Sequence, residues 1–596
     1  MGSKSQPSDG GSPVNTDLLV YLGLRTIPVA VVAVFLYLTR PLWHSLVYAA
    51  LYSPSGALFI GGGAVAALVL WYLPPSRLAS DENDGGSVDI PEEFSLGDGD
   101  PPVDSVLEGA DSAASKLRTL SSILVLLFAL SIAVGAIGGT LEQRSLAQQT
   151  MASAENVEEF PEANPDNPRV VPQEVADITT RGEVSYRQHR LGASDIARRE
   201  DGSLAWSYPI EPDGFRNRVV ENQRGVLISE LTSIDERRTT AYDETEFTHG
   251  EGMFLHRSAD WNLKASDYLA RYDDDAVEFT HDGTPYMYYP KTGHDWKLAP
   301  FPHTVPTWEG GALVSPNGEI EHLTPEEAQQ NEILDGQRLY PLTLTRDEMA
   351  SLSYREGIIN QLPVVGAHEG EVEIANLPDG ADNSQPFVID LAGEQMSYVT
   401  AMEPFGSDSR GLDEVWFIDA ETGAHTFFGT GDDTLTGPER AMGIARSEDS
   451  QTNWGENFVV TEPVPVIVDR NLWWHVKVSP TDFTDVTRNV FVDADDGTAV
   501  EVTDDEAVRA FIQGNVTTED LEPVDGGDGE ANETADGTTN QTEQRTDDGE
   551  AVYFILVTDD DGNVVRRIPV EPGQDTTIVD PGDDRARNNS TGSAGE

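Results

Sequence analysis

Cysteine is absent from this chain of 596 residues. Without a thiol, the chain can form neither a disulfide bond, nor a thiolate metal site, nor a cysteine nucleophile. Positive charge is also scarce, because 38 Lys and Arg residues stand against 104 Asp and Glu, a formal net charge of −66. Phosphate binding needs a basic face, so this composition argues against nucleic acid as a partner.

Only six of the basic residues are lysine. An acidic composition that keeps arginine but has little lysine resembles that of haloarchaeal proteins, which hold molar salt. Repulsion among the carboxylates opposes a compact fold unless salt screens it, and the Debye length falls to about 3 Å at 1 M salt. The composition therefore predicts a halophilic protein.

Long apolar runs occur at residues 17–39, 55–73 and 121–141. Each is long enough to cross about 30 Å of hydrocarbon as a helix. The third run contains no charged residue, and the first has Arg25 as its single interior charge. Arg25 has two interpretations, a side chain that snorkels to the membrane surface or part of a functional pathway through a transport complex.

The segment between the first two runs, residues 40–53, predicts an amphipathic connector. It carries Trp43, His44, Tyr48 and Tyr52, aromatic types that are found at lipid headgroup depth. Glycines follow at 61–63 and, in the third run, at Gly135 and Gly139. Small residues let helices approach closely, which is compatible with a packed three-helix anchor or with a homo-oligomer.

Basic residues near the ends of the runs predict the orientation in the membrane. With three spans, four of these residues lie on the side of the amino terminus and two on the other side. The first group is Lys4, Arg77, Lys116 and Arg118, and the second is Arg40 and Arg144. We therefore expect a multi-pass protein of the cell membrane with a cytoplasmic amino terminus and an extracellular carboxyl-terminal part.

The chain after the third run is polar and β-rich in pattern, so the fold class expected is α+β behind a three-helix transmembrane anchor. The predicted organisation is a disordered tail (1–16), two transmembrane helices (17–75), an acidic cytoplasmic loop (76–116), a third transmembrane helix (117–141), a stalk (142–168), a β-rich ectodomain (169–305), tandem α+β modules (306–514), and an acidic low-complexity tail with one hairpin (515–596).

The modules are predicted from a recurring pattern of hairpin followed by helix. Turn sequences end at Gly318, Gly423 and Gly497, each between two strand-like runs. Capping boxes then predict helix starts. Their residue pairs are Thr324 with Glu327, Thr436 with Glu439, Thr503 with Glu506 and, as a fourth, Thr345 with Glu348.

A hairpin that turns at D-A-E-T-G (419–423) or D-A-D-D-G (493–497) beside a short helix resembles the PepSY-type modules of envelope proteins. Residues 306–329 and 458–500 are similar, more loosely, to multi-span membrane proteins with tandem modules of this kind. The resemblance covers about a third of the chain. It implies a binding, regulatory or scaffolding ectodomain and carries over no catalytic residue.

Candidate ligand-binding residues come from an aromatic segment. Its rings predict either a groove for sugar or peptide or the filling of a β-domain core. They include Tyr286, Tyr288, Trp296 and Trp308.

Metal sites have two weaker candidates. His281, His294 and His303 fall close together and are either metal ligands or ordinary turn histidines. The acids of 493–504 lack the spacing of an EF-hand, so a hairpin turn is the better interpretation.

The sequence has no P-loop, G-x-S-x-G or H-E-x-x-H motif. No cofactor is expected, and the favoured function is a membrane-anchored surface protein that binds or scaffolds an envelope protein or glycan. The alternatives are an envelope hydrolase and a subunit of a transport or secretion complex. Five Asn-x-Ser/Thr sites indicate either external glycosylation or chance in an Asn- and Thr-rich tail. They are Asn515, Asn532, Asn540, Asn588 and Asn589.

Overall fold

The computed structural model describes residues 16–72, 103–516 and 542–570 with short gaps, and side chains within 19–72 and 118–516. The gaps are 184–185, 235–237, 274–275, 362–367, 379–383, 407–410, 432–434, 448–453, 455–456, 503, 548–549 and 559–563. The predicted amino-terminal tail and most of the acidic loop lie outside the described residues. The chain forms two compact units, residues 1–527 and 528–596.

In the described part of the chain, three helices are long and apolar enough to cross a membrane. They are α1 (Thr16–Leu38), α3 (Pro54–Tyr72, with a π-helical turn at Ala57–Gly61) and α4 (Val103–Ser153); a 3₁₀ turn (Arg40–Trp43) and α2 (His44–Tyr52) join the first two. Of the glycines expected to allow close packing, Gly62, Gly63 and Gly135 do so between α3 and α4, whereas a Cβ added at Gly61 or Gly139 would meet no atom within 4 Å. A Cβ added at Gly135 would lie 2.9 Å from Ser55, and one at Gly138 would lie 3.2 Å from Pro54.

Helix α4 is 51 residues long, about 76 Å at 1.5 Å per residue. It therefore continues well past the apolar run. Leu146 and Ala147 are at most 1% exposed, and Thr150 is buried with them. The structure does not bear out the stalk at 142–168, because this end of the helix packs into the body, which we define as residues 154–516.

The chain after α4 is also held to the body. Strand β1 (Glu155–Asn156) pairs in parallel with β17 (His425–Gly429). The side-chain amides of Asn164 and Asn167 donate to the Asp390 carboxylate at 2.8 and 2.7 Å. The span and the body are thus joined without a free linker.

The described residues of the body form four sheets of four or more strands. The first has the order β2-β4-β5-β6 with β3 on β4, and the second β11-β10-β9-β7 with β8 on β9. Their strands are β2 (His189–Leu191), β3 (Asp195–Arg198), β4 (Leu204–Pro212), β5 (Val226–Glu230), β6 (Thr239–Tyr242), β7 (Arg271–Tyr272), β8 (Val277–His281), β9 (Thr284–Lys297), β10 (His303–Val314) and β11 (Ile320–Leu323).

The third sheet has the order β1-β17-β16-β14-β12 with β13 on β14, the fourth is the meander β19-β20-β21-β22, and β15 pairs with β18 alone. Their remaining strands are β12 (Val372–Ile374), β13 (Phe387–Leu391), β14 (Gln395–Pro404), β15 (Gly411–Leu412), β16 (Glu414–Asp419), β18 (Leu435–Thr436), β19 (Phe458–Val468), β20 (Asn471–Pro480), β21 (Arg488–Asp493) and β22 (Ala499–Val502).

Short helices close the apolar faces of these sheets. One core lies between the first and third sheets around Tyr208, Tyr398 and Trp416, and another lies between the third and fourth sheets around Trp474. The helices are α5 (Gln173–Glu183), α6 (Phe215–Val220), α7 (Ala259–Ser266), α8 (Pro325–Gln329), α9 (Leu342–Ser351), α10 (Pro438–Ser447) and α11 (Asp505–Ile512), with 3₁₀ turns at Leu255–Arg257, Glu332–Leu334 and Leu352–Tyr354.

The three glycine turns lie in hairpins, β10–β11, β16–β17 and β21–β22, and each glycine has a positive φ. A short helix follows each hairpin. The hairpins nevertheless belong to three sheets of different strand order, so a repeated module is not confirmed.

The predicted helix caps have mixed outcomes. Thr324 and Glu327 form a capping box at α8. Thr436 lies in β18 rather than at a cap. Thr503 lies outside the described residues, and α11 begins after Asp504, whose carboxylate accepts from Ala507 N. The fourth box is wrong, because Thr345 lies inside α9, where its hydroxyl donates to Pro341 O.

The second compact unit contains a three-stranded antiparallel sheet. Its strands are β23 (Thr542–Asp547), β24 (Glu550–Thr558) and β25 (Val564–Val570). The sequence predicted only the β24–β25 hairpin, since β23 is polar throughout.

Candidate functional site

Helix α2 places three ring side chains on one face. His44, Tyr48 and Tyr52 are spaced by four residues, which puts them in line along a helix. This face points to the body, while Leu42 in the preceding turn and Leu46 on the helix are 59% and 51% exposed. The connector thus has a polar aromatic side and an apolar side.

Each of the three residues makes a contact with the second sheet or the segment that leads into it. His44 Nε2 donates to Ala270 O at 2.9 Å, and the Tyr48 hydroxyl lies 2.7 Å from His294 Nδ1. The Tyr52 ring stacks on His294 with centroids 5.0 Å apart. We call His44, Tyr48, Tyr52 and His294 the junction cluster.

Further hydrogen bonds surround the junction cluster. Thr304 Oγ1 donates to Tyr52 O at 2.7 Å, and Arg40 Nη2 donates to Ala265 O at 2.6 Å. On α4, the Ser145 hydroxyl lies 2.8 Å from His303 Nε2. The body is therefore fixed both to the connector and to the third apolar helix.

The junction cluster is uncharged near neutral pH. Burial, reinforced by the guanidinium of Arg271, lowers the pKa of His294 to about 4. Burial also lowers the pKa of His44 and raises that of Tyr48. Because the imidazole of His294 stays neutral, its contact with Tyr48 is an ordinary hydrogen bond and needs no counter-charge.

Carboxylates collect around Arg271 behind the junction cluster. Arg271 Nη2 lies 3.3 Å from Asp347 Oδ2. Burial raises the pKa of Asp273 to about 6, even though Leu342 N donates to it at 2.9 Å and the Thr343 hydroxyl donates as well. This arrangement anchors the start of α9 beside β7.

A second polar cluster lies inside the body, and we call Arg169, Glu462 and Lys477 the ion cluster. Arg169 donates to both Glu462 oxygens at 2.7 and 2.8 Å, and Gln173 N donates to one of them at 2.9 Å. Lys477 Nζ donates to Glu462 O at 3.2 Å and to His475 O at 3.4 Å. The cluster ties the segment before α5 to the fourth sheet.

Burial dominates the titration of the ion cluster. It lowers the pKa of Lys477 to about 7. Burial alone would raise the pKa of Glu462, but Arg169 holds that pKa below its usual value. The adjoining cavity has a volume of about 20 Å³, which is room for about one water molecule, so the cluster is structural.

A histidine between a serine and a glutamate occurs at the end of α4. His425 Nε2 lies 3.0 Å from Glu348 Oε2, and the Ser153 hydroxyl lies 3.4 Å from His425 Nδ1. The hydroxyl donates to Thr150 O at 2.9 Å instead. Ser153 also ends a helix, where carbonyls rather than N–H groups are presented, the opposite of an oxyanion site. The array holds α4 to β17 and α9 and does not supply an activated nucleophile.

The four aromatic candidates do not line one groove. Tyr288 is fully buried in a core under the second sheet, and Trp308 packs edge-on against Tyr340 at its margin. Tyr286 stacks on Phe279. Trp296 is 43% exposed and lies eight residues, about 26 Å, further along β9 than Tyr288. Tyr286, Tyr288 and Trp308 therefore fill the core, and Trp296 stands apart.

The histidine candidates are also separated by their partners. His294 contacts Tyr48, His303 contacts Ser145, and His281 lies 3.8 Å from Asp282. Among the described residues there is no group of three His, Asp or Glu side chains that could hold a metal ion. The 493–497 segment is a hairpin turn in which Asp493 accepts from Asp495 N.

Two other candidates have local explanations. Arg25 donates to Trp71 O and lies 4.9 Å from the Trp71 ring, at the end of α3, as snorkelling predicts. Asn515 is exposed, and the other four glycosylation candidates lie outside the described residues. Sequence reasoning missed the contacts of His44 and Tyr48 with the body, although their spacing of four residues was a signal.

Comparison with protein-family models, with curated protein sequences and with solved structures found no match to this chain.

Proposed function

We propose that this chain is a membrane-anchored surface protein of a halophile whose body binds or scaffolds components of the cell envelope. The observation that carries the proposal is the docking of the body onto α2 through His44, Tyr48 and Tyr52. A body fixed at three points beside the spans keeps one orientation at the membrane surface. Such fixed placement suits presentation of a binding surface more than a tethered, freely moving domain.

The direction of insertion in this proposal is amino terminus inside and body outside. The connector and the body contact one another, so both belong on one side of the bilayer, and the segment between α3 and α4 on the other. The two basic residues on the same side of the membrane as the body both contact the body. Arg40 donates to Ala265 O, and Arg144 lies against Gly357. The bias of Lys and Arg toward the opposite side supports a cytoplasmic location there.

The absence of native cysteine makes the orientation directly testable. Ser80→Cys, in the segment between α3 and α4, and Glu319→Cys, at an exposed turn of the body, each introduce a single thiol. On intact cells, a membrane-impermeant maleimide should label Cys at 319 and leave Cys at 80 unlabelled until the cells are lysed. Labelling of position 80 alone would show the opposite orientation. Equal labelling of positions 80 and 319 would contradict the proposed insertion of the three helices in the membrane.

The halophilic part of the proposal draws on where the positive charges lie. Buried or partly buried guanidinium groups take carboxylate partners inside the body, so the surface keeps the excess of acid. The pairs are Arg169 with Glu462, Arg198 with Asp390, Arg338 with Asp195 and Arg355 with Glu414. Screening of the surface carboxylates should therefore stabilise the body.

A salt series tests this part. We expect the thermal unfolding midpoint of the detergent-solubilised chain to fall when NaCl is lowered from 3 M to 0.1 M, followed by circular dichroism. The fall should be steepest below 1 M, because the Debye length grows from about 3 Å at 1 M salt to about 10 Å at 0.1 M. A midpoint that is independent of salt would contradict the halophilic assignment.

Envelope binding is tested by pull-down of the solubilised chain in molar salt, with proteins and glycans in the eluate identified. A stoichiometric partner supports the scaffold function. The PepSY-like character of the three hairpins with their following helices remains part of this proposal, since their turns and helices have the expected order along the chain.

A further inference from the structure

The tip of the β9–β10 hairpin exposes apolar side chains without a polar cover. Leu298 is 76% exposed, and Trp296 and Phe301 are 43% and 44% exposed. The connection between the two strands, residues 298–302, reads Leu-Ala-Pro-Phe-Pro and contains no charge. In a body whose surface carries a large excess of acid, this tip is a local exception.

The position of the tip relative to the apolar helices is fixed by contacts on both strands. His294 on β9 meets Tyr48 and Tyr52, and Thr304 on β10 donates to Tyr52 O. Leu298 lies four residues beyond His294, which extends at most about 13 Å further along the strand direction. The hairpin therefore continues past the level of the connector helix.

The tip also runs alongside α4. A Cβ added at Gly138 would lie 3.8 Å from Pro302 O. Gly138 belongs to the apolar run and lies four residues, about 6 Å along the helix axis, before Glu142, the first charged residue after the run. The tip thus reaches the depth at which the helix itself is apolar.

We propose that residues 296–302 enter the headgroup and upper acyl layer of the bilayer as a second membrane contact of the body. Trp, Leu and Phe are the side chains expected at that depth, with the indole at the interface. Lys297 is half-exposed beside them, 4.0 Å from Asp295, and its long side chain reaches toward lipid phosphate. The apolar face of α2, with Leu42 and Leu46, continues the same surface.

This inference rests on the proposed insertion of the three helices. The test uses single cysteines in the cysteine-free chain, labelled with the fluorophore NBD after reconstitution into phosphatidylcholine nanodiscs. Leu298→Cys probes the tip, and Glu319→Cys is the matched control in the turn beyond the opposite end of β10, a strand about 36 Å long. Val65→Cys, an exposed position midway along α3, reports on insertion of the spans themselves.

We expect NBD at position 298 to emit at shorter wavelength than at 319 and to lose at least half its intensity with lipid carrying a nitroxide near the headgroup. NBD at position 65 should be quenched by a nitroxide deeper in the lipid acyl chain.

Equal behaviour of NBD at positions 298 and 319, with position 65 quenched, would overturn this inference and leave the proposed function standing. Loss of quenching at both 298 and 65 would overturn the proposed function. A blue shift at 298 that needs high protein-to-lipid ratio, without lipid quenching, would identify a second copy as the occupant and contradict the lipid contact.

Discussion

The junction cluster and the ion cluster both remove polar side chains from water, but they do so by opposite means. The ion cluster keeps the charges of Arg169 and Glu462 and pairs them, with Glu462 held by two bonds from Arg169 and one from Gln173 N. The junction cluster has no charge to compensate, because burial keeps His294 neutral at pH 7. Separation of the neutral junction cluster leaves no unpaired charge. Removal of one partner from the ion cluster leaves a buried charge unpaired, which is strongly destabilising. The ion cluster therefore belongs to the interior of the body, whereas the junction cluster lies between the body and helix α2.

The largest expected effect comes from removing the central charge of the ion cluster. Glu462→Gln leaves Arg169 as a buried cation without a counter-ion, which should cost about 3–5 kcal/mol of unfolding free energy. Denaturant unfolding of the solubilised chain in molar salt measures it. Glu319→Gln, at an exposed turn, is the control and should change stability by less than about 0.5 kcal/mol. A similar small loss for Glu462→Gln would remove the distinction between the two clusters.

A smaller loss is expected at the junction. Tyr48→Phe removes only the hydroxyl and leaves His294 Nδ1 without its partner, which should cost about 1–3 kcal/mol. Tyr37→Phe, at a side chain that is 65% exposed, is the control. Adding His294→Phe to Tyr48→Phe should recover part of the loss, since both polar partners are then absent. No recovery in this double variant would argue against the hydrogen bond as the cause.

The ion cluster should respond to alkaline pH. The pKa of Lys477 is about 7 in the folded protein and 10.5 as the unperturbed value. Between pH 7 and pH 10.5 the folded protein has lost this proton and only the unfolded chain still binds it, so rising pH disfavours the unfolded chain and the folded state gains relative stability. Lys477→Met should lack this gain when unfolding free energies are compared at pH 7 and pH 10. If the unfolding free energies of the two proteins changed equally between pH 7 and pH 10, the Lys477 amine would not have the pKa lowered by burial.

The junction should respond to acid instead, and with a smaller pKa difference between the folded and unfolded chain than that of Lys477. The pKa of His294 is about 4 in the folded protein and 6.5 as the unperturbed value. Between pH 6.5 and pH 4 only the unfolded chain takes up the proton, so stability falls across that window. His294→Gln should flatten the profile there, and His281→Gln, at a half-exposed side chain, should leave it unchanged. If His294→Gln lost as much stability between pH 6.5 and pH 4 as the unsubstituted chain, a group other than His294 would cause the loss.

Local patterns predicted the parts of the structure that depend on short stretches of chain. Three apolar runs predicted three helices within one or two residues for the first two, and Gly318, Gly423 and Gly497 predicted three hairpins. The pattern failed where tertiary contacts decide. The polar residues 142–153 were read as a stalk because composition cannot reveal that Leu146 and Ala147 pack against the body. Thr345 and Glu348 have capping-box spacing, yet they lie inside α9.

Composition and periodicity by themselves determined that this protein has three long apolar helices, a large excess of acidic residues and a β-rich remainder, because charge, hydrophobicity and turn residues act locally. Only the tertiary structure decided which aromatic rings lie in a core and which face outward, and which histidines meet which partners. Tyr288 and Trp296 have the same alternation on β9, but one is buried by the sheet's neighbours and the other lies beyond them. Such burial depends on residues distant in the chain, and a single sequence does not contain their distances.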